Sequence, residues 1–148
     1  MAAIRPAAPD DAARIQAIVE QAYAVYVPRI GKKPGPMLED YRARVAEGVV
    51  WVAEADGAVA GVLVLLTERD HLLLDNVAVA PEAHGRGIGR QLIAFAEDEA
   101  RRRGFAEIRL YTHEKMTENA AMYPRLGYAE THRARPAGSD RIFFGKGL

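Results

Sequence analysis

The run Leu72-Leu73-Leu74-Asp75-Asn76-Val77-Ala78-Val79 leads through Pro81 into a turn with glycine at 85, 87 and 89; Ile88, Leu92, Phe95, Ala96 and Ala100 then recur on one side of a helix ending at Gly104. The near-continuous Leu and Val content reads as a strand buried on both faces, and the apolar spacing beyond the turn is helical. A strand, a glycine turn and a helix start in this order commit the chain to an α/β arrangement. They also leave several backbone N–H groups unpaired and converging on one spot, with the helix dipole adding positive potential, which suits a phosphate. Glycine is needed because a side chain would block the approach of an oxyanion, and some positions of such a nest require positive φ. A dinucleotide turn wants Gly-x-Gly-x-x-Gly, but counting from Gly85 the third glycine falls on Arg90. A nucleotide P-loop wants Gly-Lys-Ser/Thr, and Gly89-Arg90-Gln91 has neither the lysine nor the magnesium-binding hydroxyl. A helix start that binds nothing leaves the stability cost of three alternating glycines unexplained.

The rest of the chain reads as short alternating elements. Ala2 to Arg5 has the pattern of a strand, and Pro6 to Asp11, with its prolines and two early acids, suits a helix start. Ile15, Ile18, Val19, Ala22 and Tyr26 mark the inward face of a helix to about Tyr26, before Pro28, Gly31, Pro34, Gly35 and Pro36 break the pattern. A short helix from Pro36 to Glu47 aligns Leu38, Tyr41 and Val45 and stops at Gly48. Strand patterns Val49 to Glu54 and Val59 to Thr67 flank Asp56-Gly57, a hairpin signal. A strand from Ala106 to Thr112 and a helix from Thr117 to Leu126, closed by Gly127, come next. Tyr128 to Arg135 and Arg141 to Phe144 form a last antiparallel pair around Gly138-Ser139. The order β-α-α-β-β-β-α-β-α-β-β makes an α/β (α+β) fold with a mixed sheet, expected as one domain over residues 1–148.

Charge and cysteine usage narrow the function classes. Lys plus Arg (20) cancels Asp plus Glu (20), against the basic surface that non-specific nucleic-acid binding requires. No cysteine is present, so disulfides, thiolate metal sites and an acyl-cysteine intermediate are excluded. None of the 4 histidines has metal-ligand spacing with another ligand, so no metal is expected. No apolar run is long enough to span a bilayer and no targeting pattern precedes Asp11, so the expected location is cytoplasmic with no membrane partner.

Residues 84–89, His84-Gly85-Arg86-Gly87-Ile88-Gly89, resemble the pyrophosphate signature of the GNAT superfamily of acyl-CoA N-acyltransferases: Gln or Arg, two residues, Gly, one residue, then Gly or Ala. His84 stands at the first position in place of Gln or Arg. The resemblance covers nearly the whole chain and implies a mostly antiparallel central sheet flanked by helices, with acetyl-CoA as acyl donor. It implies that Val77 and Val79 contact the pantetheine arm, which pairs with this strand like an extra strand. His84, Gly85, Arg86, Gly87, Ile88 and Gly89 with Arg90 would hold the pyrophosphate, mainly through backbone amides. A second match, Asn119-Ala120-Ala121-Met122-Tyr123-Pro124-Arg125-Leu126-Gly127-Tyr128, resembles the family's helix that ends in Tyr, three residues, Gly and an aromatic. Tyr123 takes the place of the tyrosine that protonates the departing thiolate. The family's frequent asparagine falls on Met116, while Asn119 lies one helical turn before Tyr123 and is carried over as a cofactor contact.

Without cysteine, direct attack of an amine on the thioester is the economical scheme. Asp75 is the leading base because it interrupts an apolar run, where a carboxylate needs a partner or a water chain; a purely structural carboxylate is the alternative. His113, Glu114 or water are further options for the base. By resemblance the acceptor side is walled by the loop between the first two helices and by the last hairpin, which brings Tyr26 and Arg29 forward as substrate contacts; His113, just past a strand end, is a further one. The expected acceptor is a primary amine of a small molecule or peptide, and a homodimer is expected from the family. Two other readings stand beside this enzyme: a non-catalytic acyl-CoA sensor with the same fold, and an unrelated nucleotide-binding domain using the glycine turn.

Overall fold

The computed structural model describes residues 2–135 and 140–148. Its elements are β1 (Ala3–Pro6), α1 (Ala12–Tyr23), α2 (Tyr26–Ile30), α3 (Tyr41–Ala46), β2 (Val50–Ala55), β3 (Ala58–Thr67), β4 (Leu72–Val79), α4 (Ile88–Arg102), β5 (Glu107–His113), α5 (Thr117–Arg125), β6 (Ala129–Ala134) and β7 (Arg141–Gly147). The strands form one 7-stranded sheet in the order β1-β2-β3-β4-β5-β7-β6. β1–β2, β2–β3, β5–β7 and β6–β7 pair antiparallel and β4–β5 parallel, so the mixed, mostly antiparallel sheet read from the sequence is present. The turn expected at Gly138-Ser139 lies outside the described residues. Contacts divide the chain into two compact units, one of residues up to Leu65 with Asn76–Ala96, the other of Leu66–Asp75 with Glu97–Leu148.

In the first unit, Asp56 (φ 55°) and Gly57 (φ 78°) are both left-handed, the geometry a two-residue hairpin between twisted strands demands. Ile15, Ile18 and Val19 of α1 are fully buried, as are Val52 and Val62 of the hairpin. Gly61 on β3 is closely packed: a Cβ there would come within 2.9 Å of Leu92 Cδ1 and 3.0 Å of Ile88 Cγ2, so these side chains would have to shift to admit one. The helix expected to continue to Tyr26 breaks after Tyr23, because Pro28 has no N–H to give the Ala24 carbonyl, which Val27 N–H takes instead at 3.2 Å. Pro28 then falls within the first turn of α2 and does not end it. The helix expected over Pro36–Glu47 is also divided: a 3-10 turn at Gly35–Leu38 precedes an extended Glu39–Asp40, whose Asp40 carboxylate accepts from Ala43 N–H and starts α3. Leu38 is consequently 69% exposed rather than aligned with buried Tyr41 and Val45.

Arg5 on β1 is clamped between Glu54 on β2 and Asp11, and Asp11 also accepts from Ala8 N–H at 2.7 Å. The Arg5 guanidinium holds the Asp11 carboxyl below the usual carboxylate range. A depressed folded value adds stability that is fully present above the unfolded pKa, about 4, and is lost as pH falls through the folded value. Asp11→Asn should therefore be less stable than the wild type at neutral pH, with the gap closing in acid; denaturant unfolding between about pH 7 and 3 checks it.

In the second unit, β7 lies between β5 and β6, paired over its length from Glu107↔Gly147 to His113↔Arg141. β4 pairs with β5 at Leu72↔Ile108 and Leu73↔Arg109. Burial alternates along β4, so the expectation of a strand buried on both faces is corrected: Leu72, Leu74, Asn76 and Ala78 are buried, while Leu73, Asp75, Val77 and Val79 are half-buried. Gly104 (φ 85°) closes α4, with Phe105 N–H reaching back to the Ala100 carbonyl at 2.9 Å.

Candidate active site

β4 ends where Ala80 N–H bonds the Ala60 carbonyl at 2.8 Å, and a 3-10 turn at Pro81–Ala83 leads to His84, Gly85 and Gly87 before α4. Gly85 (φ 80°) and Gly87 (φ 76°) are left-handed, and a Cβ on either would meet open space, so conformation rather than crowding requires glycine. Gly89 is different. It sits in the first turn of α4, and a Cβ would make only an ordinary 3.6 Å contact with Val79 Cγ2, which agrees with a signature that accepts Gly or Ala there. Gly87→Ala should destabilise the fold by about 1–2 kcal/mol, whereas Gly89→Ala should stabilise it by about 0.5–1 kcal/mol; thermal unfolding of the two variants distinguishes them.

His84 Nε2 lies 3.2 Å from the Val79 carbonyl, tying the turn to the end of β4. Arg86 is held by Asp56 at 2.8 Å, so its charge at the turn is offset by the β2–β3 hairpin. Arg90 is exposed on the first turn of α4. Tyr26 and Arg29 share α2, with the Arg29 guanidinium 5.3 Å from the Tyr26 ring centroid and Tyr26 packed on Tyr23.

The buried polar residue of β4 is Asn76, 3% exposed, and not Asp75. Tyr23 O–H of α1 donates to Asn76 Oδ1 at 2.7 Å, Asn76 Nδ2 donates to Tyr41 Oη of α3 at 2.9 Å, and Tyr41 O–H donates to the Pro36 carbonyl at 2.5 Å. Tyr23 Oη also lies 3.4 Å from the Val77 carbonyl. This chain of bonds joins α1, α3 and the Gly35–Leu38 turn to the strand that precedes the glycine turn. Sequence patterning missed it; the signal was an amide inside an apolar run with two tyrosines on inward helical faces. Asn76→Leu, which keeps the branching of the side chain but not its hydrogen-bonding groups, should cost about 2–3 kcal/mol in a urea unfolding titration.

In the second unit, Tyr123 is 5% exposed near the end of α5, edge-on to Tyr128 and tilted against Phe144, each with centroids 5.8 Å away. Pro124 lies inside the helix, which runs on to Arg125, and Gly127 (φ 94°) follows its end with its N–H on the Pro124 carbonyl. Tyr128 O–H donates to Glu97 Oε2 at 2.9 Å, while Lys146 Nζ donates to Glu97 Oε1 at 3.1 Å and to the Leu126 carbonyl at 2.9 Å. Burial, then the bond to Glu97, pushes the Tyr128 phenol far above its ordinary range. Asn119 Nδ2 reaches Met116 Sδ at 3.9 Å, and Thr112 Oγ1 donates to the same sulfur at 3.5 Å. Asp75 is half-buried; His113 Nδ1 accepts from Lys115 N–H at 3.1 Å, and Glu114 lies 4.0 Å from Arg133 Nη1.

The model of the acetyltransferase (GNAT) family matches residues 15–128. The chain belongs to this family. Among curated relatives, an IAA acetyltransferase of Azospirillum brasilense is 33% identical over 93 residues, covering 62% of this chain and 61% of that protein. N-acetyltransferase family 8 member 3 of Rattus norvegicus is 32% identical over 87 residues, covering 55% and 38%. The match thus spans less than two thirds of either relative's length. PaiA N-acetyltransferase from Thermoplasma acidophilum, solved in complex with coenzyme A, superposes with a TM-score of 0.84 over 100% of this chain and 99% of its own, at 19% identity, a likeness of fold. The ribosomal-protein-S18-alanine N-acetyltransferase of Escherichia coli does so with 0.80 over 100% and 94%, at 21%. The GNAT fold inferred from the glycine signature is therefore the fold of the chain. No helix among the described residues is long and apolar enough to cross a membrane, and these residues contain no group of three or more His, Asp or Glu positioned to hold a metal.

Proposed function

We propose that this GNAT chain transfers an acetyl group from acetyl-CoA to a primary amine of a small molecule or peptide by direct attack. The observation that supports this most is the turn before α4: two left-handed glycines with open space where a Cβ would stand, followed by a 15-residue helix whose first-turn N–H groups have no partner within the helix. Acetyl-CoA brings the activated thioester. The residues of the turn from His84 to Arg90 bind its pyrophosphate, and the backbone of Val77 and Val79 binds the pantetheine arm. The amine nitrogen bonds to the thioester carbonyl carbon, the carbon–sulfur bond breaks, Tyr123 gives its phenol proton to the departing thiolate and Asp75 takes the proton the amine loses. On reference values a phenol, pKa near 10, gives its proton to a thiolate whose conjugate acid lies near 8.5 uphill by about 2 kcal/mol, a cost that positioning on the helix can offset. Asn119 is assigned to the cofactor, and Tyr26, Arg29 and His113 to the acceptor.

Release of free thiol from acetyl-CoA across a panel of amines tests the reading. Release above the blank with at least one amine supports transfer, while saturable acetyl-CoA binding with no release from any acceptor points to a sensor.

A further inference from the structure

Tyr111 on β5 and Phe143 on β7 are register partners with ring centroids 5.6 Å apart. His132, the β6 partner of Phe143, stacks on it at 4.3 Å with 7° between planes. The neighbours Leu110, Ile142 and Phe144 are buried, so this row of three rings occupies the opposite face of β5–β7–β6, half-buried at Tyr111 and Phe143 and exposed at His132. At one end of the row, Arg141, the register partner of His113, lays its guanidinium 4.2 Å from the Tyr111 ring centroid.

The other arginines of these strands are neutralised: Arg109 by Glu107, Arg133 by Glu130, and Arg135, just past β6, by Asp140. Arg141 alone has no carboxylate within ion-pair distance among the described residues. Stacking on Tyr111 holds its planar fork by the face, and the N–H edges stay available for a bidentate oxyanion. We propose that this face binds a carboxylate that carries a flat aromatic ring, the ring on the Tyr111–Phe143 row and the carboxylate on the Arg141 fork. A single uncompensated cation matches a single negative charge. A nucleic-acid strand would need several cations along its backbone, and among the described residues of these strands Arg141 is the one arginine without an acidic partner. The inference goes beyond acetyl transfer and does not depend on it.

The test is a titration of the full chain with 3-phenylpropanoate and, separately, 3-phenylpropanamide, without acetyl-CoA, followed by calorimetry. The acid should bind saturably and about ten- to a hundredfold tighter than the amide. Arg141→Gln should reduce the acid to the level of the amide while leaving the amide unchanged, which also controls for folding. Arg141→Lys should not restore the acid, since an ammonium neither stacks nor forks. Equal binding of acid and amide, binding of neither, or full acid affinity in Arg141→Gln overturns the proposal. L-phenylalanine with acetyl-CoA then separates two sources of the same chemistry: thiol release with a KM raised by Arg141→Gln makes the carboxylate part of the acyl acceptor, and saturable binding without release makes it an effector.

Discussion

Replacing Tyr123 by phenylalanine is expected to lower kcat for thiol release by about 10²–10⁴-fold, with little change in affinity for acetyl-CoA. The variant keeps the ring that packs on Tyr128 and Phe144 and removes only the hydroxyl. Tyr128 is the matched control, a second buried phenol one turn beyond the helix. Its proton is committed to Glu97 and its pKa is driven up by burial, so it is no proton donor at neutral pH. Tyr128→Phe should lose stability but retain kcat and its pH profile. Pre-steady-state thiol release, with chemistry shown to limit the rate, reads both variants; an unchanged kcat for Tyr123→Phe across pH would remove the acid role.

The largest effect on stability is expected at Glu97. Its carboxylate accepts from Tyr128 and Lys146 at once, and Lys146 also donates to the Leu126 carbonyl just past α5. One acid on α4 thereby fixes β7, the segment leading into β6 and the end of the helix that carries Tyr123. Glu97→Ala leaves a partly buried ammonium and a buried phenol without their acceptor, and should cost about 3 kcal/mol, the lower end for a broken buried pair because Lys146 keeps some access to water. That corresponds to a fall in Tm of about ten degrees. Glu97→Gln, which keeps one carbonyl acceptor, should lose less. A loss in Glu97→Ala below about 0.5 kcal/mol would show that water replaces these bonds at little cost.

What was legible in the sequence depended on how local its cause was. The Asp56-Gly57 turn and the left-handed Gly85 and Gly87 follow from the chemistry of two or three adjacent residues, and each takes the conformation its residue type announces. The break between α1 and α2 falls earlier than apolar spacing indicates, although its cause is local: Pro28 withholds an N–H from a carbonyl four residues earlier, so the helix yields one turn before the proline. Leu38 stays exposed despite its apolar spacing because the Asp40 cap starts α3 afresh. Residues joined across the fold were invisible. Tyr23 and Asn76 are 53 positions apart and Glu97 and Lys146 are 49 apart, so no periodicity relates them. Asp75 is the charged residue of the run, but the alternation of burial along β4 places its neighbour Asn76 inside. The stack of Arg141 on Tyr111 likewise depends on β7 entering the sheet between β5 and β6.

The central claim is that the glycine turn binds the donor. Thermal unfolding of the chain with acetyl-CoA, ATP or NAD tests it most directly. Acetyl-CoA at a hundred times its Kd should stabilise the protein by about 2.7 kcal/mol, with no comparable effect of the nucleotides. Stabilisation by ATP or NAD with none by acetyl-CoA would contradict the account.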